Sequence, residues 1–120
     1  MATRSTIAIQ NEDGTVTGIY CHWDGYPKHN GKILVTDYTT EEKVRELIAL
    51  GDISSLGSTI NETVAYGRDR GERSVGPHKG KSHHEFVGKY GEQYNYLFKN
   101  GEWQLDGMVI NIPKGEKSCM

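Results

Sequence analysis

Two short segments concentrate side chains able to hold a flat, anionic ligand. The first is Ile19-Tyr20-Cys21-His22-Trp23-Asp24-Gly25-Tyr26-Pro27, where a strand-like alternation ends in two large aromatics, an imidazole and a carboxylate. Trp23 and Tyr26 flank the turn Asp24-Gly25, and turns lie at the surface. An exposed Trp beside a Tyr is a stacking platform worth about 1–3 kcal/mol per base. The competing reading is core packing, since aromatics dominate small cores. His22 and Asp24 supply hydrogen bonds suited to base edges or ribose. The second segment is Ala65-Tyr66-Gly67-Arg68-Asp69-Arg70-Gly71-Glu72. Tyr66 opens it, and Arg68 and Arg70 sit between hinge glycines. A guanidinium meets phosphate oxygens two at a time, and glycines let backbone N–H groups approach the same anion. The competing reading is a solvated loop in which these arginines pair weakly with Asp69 and Glu72. Arg4, among the hydroxyls of Thr3, Ser5 and Thr6, offers further donors to a phosphate or to a neighbouring subunit.

Catalysis and metal binding find less support. Cys21-His22 and His83-His84 contain zinc-type ligands, but their spacing fits no zinc signature, and adjacent residues of a strand point to opposite faces. Pairing His22 with His83 or His84 for acid–base cleavage of a phosphodiester is chemically conceivable, yet the spacing adds nothing to it. Walker, G-x-G-x-x-G, H-E-x-x-H and G-x-S-x-G motifs are all absent from the sequence. No catalytic residue, metal or cofactor is therefore assigned, and the chain reads as a binder rather than an enzyme. Lys79-Gly80-Lys81-Ser82 is a basic, flexible segment, either a solvated loop or a lid that orders on an anion.

The whole chain sets the frame. Its 120 residues suit one domain, 1–120, with a modest core. A mean hydropathy of −0.65 and 15 glycines imply much turn and loop. A small, loop-rich monomer gains from added buried surface, so a homo-oligomer (dimer or tetramer) is expected. A net charge of −2 does not suit a general duplex-DNA binder. No apolar run is long enough to span a membrane, and the N-terminal residues lack an apolar signal core. Cys21 and Cys119 are too far apart, and Cys119 too near the end, to suggest a structural disulfide. The expectation is a soluble cytosolic protein with free thiols.

The positioning elements follow from patterning. Ser5 to Gln10 and Val16 to His22 alternate around Asp13-Gly14, a hairpin signal. Lys32 to Tyr38 fits a short helix or a strand. Thr39 with Glu42 predicts a capping box, Val44, Leu47, Ile48 and Leu50 mark one helical face, and Gly51 is placed to stop it. Asp52 to Gly57 reads as a turn with Ile53 and Leu56 tucked inward. Residues 58–88 read as a long Gly-rich loop, which is functional or mobile in a compact domain; Thr63 to Tyr66 is a possible strand inside it. Glu92 to Phe98 and Glu102 to Leu105 form a second hairpin about Asn100-Gly101, and Val109 to Ile112 extends it or adds an edge. Residues 114–120 read as a flexible tail. The class is α+β: an antiparallel sheet from N- and C-terminal hairpins, packed against an αα pair.

The segments Ala2-Thr3-Arg4-Ser5-Thr6-Ile7, Ile19 to Pro27, Leu47 to Gly57 and Tyr66 to Glu72 resemble, in order and over nearly the whole chain, a widespread family of small tailed-phage proteins. Tyr94-Asn95-Tyr96-Leu97-Phe98 with Trp103 resembles it too. The grouping is similar to phage immune-evasion sponges of the anti-CBASS type. The resemblance implies a small oligomeric protein in the host bacterial cytoplasm that sequesters a cyclic (di)nucleotide signal without cleaving it, with ligands often at subunit interfaces. It carries over no individual contact residue. The alternatives are an inhibitor that binds a host defence protein directly, in the manner of an anti-CRISPR, or a small nucleotide-cleaving enzyme.

Overall fold

The computed structural model describes residues 2–110. The element order is β1 (Ser5–Gln10), β2 (Val16–Cys21), a π-helical turn (Pro27–Gly31) running into α1 (Lys32–Asp37), α2 (Glu41–Ile48), β3 (Ile53–Ser55), β4 (Val64–Ala65), α3 (Tyr66–Arg70), β5 (His78–Gly80), α4 (His83–Tyr90), β6 (Tyr94–Lys99), β7 (Glu102–Leu105) and β8 (Met108–Val109). The strands make one sheet in the order β4-β3-β2-β1-β6-β7-β8, with β5 also paired to β2. No described helix is long and apolar enough to cross a membrane. Asn111, Ile112, Cys119 and the expected tail at 114–120 lie outside the described residues.

Both expected hairpins are present. The first closes with Asn11 N–H donating to Thr15 O at 2.7 Å, and Gly14 takes φ +88°. The second turns through Asn100 at φ +53° and Gly101 at φ +78°, the two positive φ values of a type I′ turn. The sheet they join is mixed, not antiparallel as expected. β1 runs parallel to β6, from Ser5 opposite Tyr94 to Ile9 opposite Phe98. β2 meets β3 in parallel at Cys21 and Ile53. The long chain between β2 and β6 permits this, because parallel neighbours need a crossover of a dozen residues or more.

One open local expectation is decided and two change. Lys32–Asp37 is a helix. The cap of α2 is Thr40, whose Oγ1 accepts from Lys43 N–H at 3.2 Å, one residue later than the Thr39 pattern implied. The turn expected at Asp52 to Gly57 contains β3; the long loop at 58–88 contains β4, where the sequence allows a strand at Thr63 to Tyr66, and also α3, β5 and most of α4. Lys79 and Gly80 belong to β5, paired opposite Thr17 and Val16.

The strand alternation separates two cores. Ile7, Ile9, Ile19, Tyr96 and Phe98 bury one face under α1 and α2, against Leu34, Val44, Leu47 and Ile48. Trp103 Nε1–H donates to Tyr38 O at 2.9 Å and Tyr38 O–H to Gly57 O at 2.9 Å, which ties the end of α1 to the sheet and to the next loop. Ala8, Val16 and Leu97 bury the opposite face against Phe86 of α4. This second face was not expected from the sequence. It depends on close approach: a Cβ on Gly18 would sit 2.6 Å from Phe86 Cζ and 2.8 Å from Ala8 Cβ, and one on Gly80 would sit 2.9 Å from Phe86 Cα. Gly18→Ala is therefore expected to overpack this face and cost about 1–3 kcal/mol. Urea denaturation reads the change directly, and an unchanged midpoint would show that α4 is not seated on Gly18.

Candidate functional site

The same alternation carries polar side chains onto the α4 face at the other end of the strands. Thr6 pairs with Tyr20 across β1 and β2. Thr6, Ile19, Tyr20, His78, Lys89, Tyr90, Gly91 and Glu92 line a cavity of about 250 Å³. At its wall the Tyr20 phenol contacts His22 Nδ1 at 2.5 Å. Burial pushes the Tyr20 phenol up, Arg4 opposes the shift, and Glu92 and Tyr66 reinforce it. The phenol therefore keeps its proton at neutral pH, and the contact occupies His22 Nδ1, leaving Nε2 as the ring nitrogen not engaged in it.

Asp52 holds this wall in place. Its carboxylate accepts Tyr20 N–H at 2.8 Å and faces His78 Nε2 at 3.0 and 3.1 Å. Its backbone carbonyl accepts Tyr66 N–H at 3.2 Å, and its own N–H donates to Val75 O at 2.6 Å. One residue so joins β2, β5, the start of α3 and the loop before β5. The His78 ring stacks on Tyr90 with centroids 4.6 Å apart, which carries the same connection to the end of α4.

The residues singled out from sequence divide into three groups. Arg4, His22 and Tyr66 converge on Tyr20. Arg70 extends the group, its guanidinium 5.2 Å from the centre of the Tyr66 ring. Trp23 borders it: its ring meets His22 edge-on at 4.6 Å, and 43% of the residue is exposed. Asp24 and Tyr26 form a separate pair on the turn beyond, with Tyr26 O–H donating to Asp24 Oδ1 at 3.3 Å. Asp24 adopts φ +57°, and its carboxylate pushes the Tyr26 phenol up. Tyr26 is exposed, so neither aromatic of the first segment belongs to the core.

Arg68 stands apart. Its Nε and Nη2 grip both Asp69 oxygens at 2.9 Å, and its Nη1 and Nη2 donate to Ile60 O at 3.0 Å and Thr63 O at 2.6 Å. Asp69 in turn accepts Ala65 N–H at 2.8 Å. This guanidinium braces the entry to α3 rather than offering its fork outward. Arg4 and Arg70, by contrast, make no side-chain hydrogen bond among the described residues and are exposed.

The remaining candidates are structural. Cys21 is fully buried, accepts from Asn30 Nδ2 at 3.3 Å, and burial pushes its thiol up to about 11, so it is no nucleophile at neutral pH. His83 is half-buried at the start of α4, stacked on Phe86, and burial lowers its affinity for a proton. No group of three or more metal-ligating side chains occurs among the described residues. A wider surface cleft of about 680 Å³ is lined by Asn11, Glu12, Asp13, Thr15, Thr17, Glu41, Arg45 and Lys79. Several of its polar groups bond one another, Arg45 holding Glu41 at 2.8 Å and Asn11 at 3.0 Å.

No family model, curated protein or solved structure matches the chain. The site therefore rests on its own chemistry. Sequence reasoning missed Tyr20, Asp52, His78, Lys89, Tyr90 and Glu92. One local signal was available: Ser82 accepts Glu85 N–H at 3.1 Å, the S-x-x-E cap that starts α4 and so places Lys89 and Tyr90.

Two outcomes follow. Asp52→Ala leaves Tyr20 N–H and His78 without their acceptor and is expected to cost about 1–3 kcal/mol, with faster hydrogen exchange at the Tyr20 amide; unchanged protection there would refute the hub. Arg68, then the Ala65 N–H, lowers the Asp69 carboxyl from 3.8 to about 2. A depressed carboxylate stabilises the fold above its ordinary range, and that contribution is lost as pH falls through about 2. In Arg68→Ala the Asp69 titration, followed by carbon NMR, should climb back toward 3.8; no upward movement would mean that the fork does not set it.

Proposed function

We propose that this chain is a phage-encoded inhibitor of host anti-phage defence that binds a cyclic nucleotide signal and sequesters it intact. The observation that carries the reading is the group around Tyr20: a phenol that lines a cavity and is bonded to the His22 imidazole, with Arg4 and Arg70 outside the cavity and their donors unpaired among the described residues. Aromatic and imidazole rings suit a base, and guanidinium forks suit phosphate oxygens. His22 Nδ1 is occupied by Tyr20, so that ring nitrogen is not free to act as a base. That favours holding a ligand over deprotonating it.

Cavity size argues for a shared ligand. At about 250 Å³ it falls below the usual ~300–1,000 Å³ of a complete small-molecule site. It has room for one base, with the phosphates left at the rim. A cyclic dinucleotide presents two such halves related by two-fold symmetry, and a symmetric homo-oligomer would meet it with the same residues from each subunit. The host cytoplasm, where such signals act, is the corresponding location.

A second reading has its own observation. Trp23 and Tyr26 are 43% and 38% exposed, and exposed aromatics are the usual anchors of a protein interface. The chain would then block a host defence protein directly.

Native mass spectrometry against a panel of cyclic di- and trinucleotides, followed by heat release of the ligand, separates these readings. Sequestration requires a stoichiometric complex that releases ligand of unchanged mass. Arg4→Ala combined with Arg70→Ala should weaken it at least tenfold, and Trp23→Ala should weaken it by a smaller factor, in protein that melts normally. A product of altered mass would mean an enzyme. Binding to none of the panel would leave the protein-inhibitor reading in its place.

A further inference from the structure

The cavity has a chemical polarity that the Tyr20 group does not explain. Glu92 lines it, and its carboxylate acts on the Tyr20 phenol, so the acid lies within the site. Yet that carboxylate makes no hydrogen bond or ion pair among the described residues. Its backbone is fixed: Glu92 N–H donates to Asn95 Oδ1 at 2.9 Å, and Asn95 Nδ2 donates back to Glu92 O at 3.0 Å. Asn95 is itself anchored by Thr6 O–H at 2.8 Å and by Asp106 at 3.2 Å. A short, buried side-chain network thus positions an acid that has no partner of its own. A carboxylate beside a site for anions is unfavourable unless the ligand brings donors to it.

We propose that Glu92 is a specificity residue and that the base taken into this cavity is guanine. This rests on the cyclic-nucleotide reading. An ionised carboxylate only accepts hydrogen bonds. Guanine offers adjacent donors, its ring N1–H and its exocyclic amine, and can meet both carboxylate oxygens together. Adenine has an acceptor at the same ring position and would set a lone pair against the charge. Tyr20, His78 and Tyr90 line the cavity that takes the base, and Arg4 and Arg70 take the phosphates. Charge is then matched at both ends of the nucleotide.

Isothermal titration calorimetry with cyclic di-guanylate and cyclic di-adenylate tests this on the full chain. The wild type should prefer the guanine ligand at least tenfold, on the order expected of one good bidentate pair. Glu92→Gln keeps the size and the backbone bonds but removes the charge, and should shrink the preference to about threefold or less. Glu92→Ala should do the same in protein with a normal melting transition. Equal affinity of the wild type for both ligands would overturn the guanine assignment while leaving sequestration standing. A preference that survives both substitutions would overturn the role of Glu92. Binding of neither ligand, with binding of no other cyclic nucleotide, would overturn the inference together with the reading beneath it.

Discussion

The structure depends on the Asp52 carboxylate. It receives the Tyr20 N–H from β2 and the His78 imidazole from β5, while its backbone receives the N–H that opens α3. With its side chain 17% exposed, the acid cannot rely on water alone for its hydrogen bonds. It therefore selects one arrangement of segments that are far apart in sequence. Three of those segments are too short to be stable in isolation. β4 has two residues, β5 three and α3 five, and hairpins or helices of that length need tertiary partners.

A second constraint is the two-sidedness of the central strands. β1 is paired on both edges, to β2 and to β6, so both of its faces need cover. The Ile7 and Ile9 face is covered by α1 and α2, and the Ala8 face by α4. Small residues at Ala8, Gly18 and Gly80 bring α4 close enough to seat Phe86. From there, Lys89 and Tyr90 at the end of α4 reach the polar part of the sheet around Thr6 and Tyr20. The apolar contact thus sets the depth of the cavity, and the Asp52 network sets its wall. Site and core are two ends of one face.

This division explains what could be read from the residues alone. β1, β2, α2, β6 and β7 are legible because each carries a periodic pattern bounded by a turn or cap within a few residues. Asp13-Gly14 and Asn100-Gly101 specify their hairpins locally. The parallel pairing of β1 with β6 is not local, and no periodicity encodes which neighbour a strand will choose. β5 is too short to show a period at all, and the five glycines within residues 58–88 read as loop although Gly80 is a packing position. Among the site residues, Arg4, His22, Tyr66 and Arg70 stand out by type; the first three converge on Tyr20, and Arg70 joins them through the Tyr66 ring. Arg68 has the same type and a different task, because Asp69 is its immediate neighbour and captures it. Asp52, His78 and Glu92 look like ordinary surface residues until the fold gives them their neighbours.

The most direct test of the proposed ligand site is where an added cyclic nucleotide perturbs the protein. Backbone and side-chain NMR shifts recorded during titration with a cyclic dinucleotide should move first at Arg4, Tyr20, His22, Tyr66, His78 and Glu92, the residues that line the cavity or act on Tyr20 at its wall. Shifts confined to Asp24 and Tyr26, or to the cleft of Glu12, Asp13, Glu41 and Arg45, would place the ligand elsewhere and contradict the account.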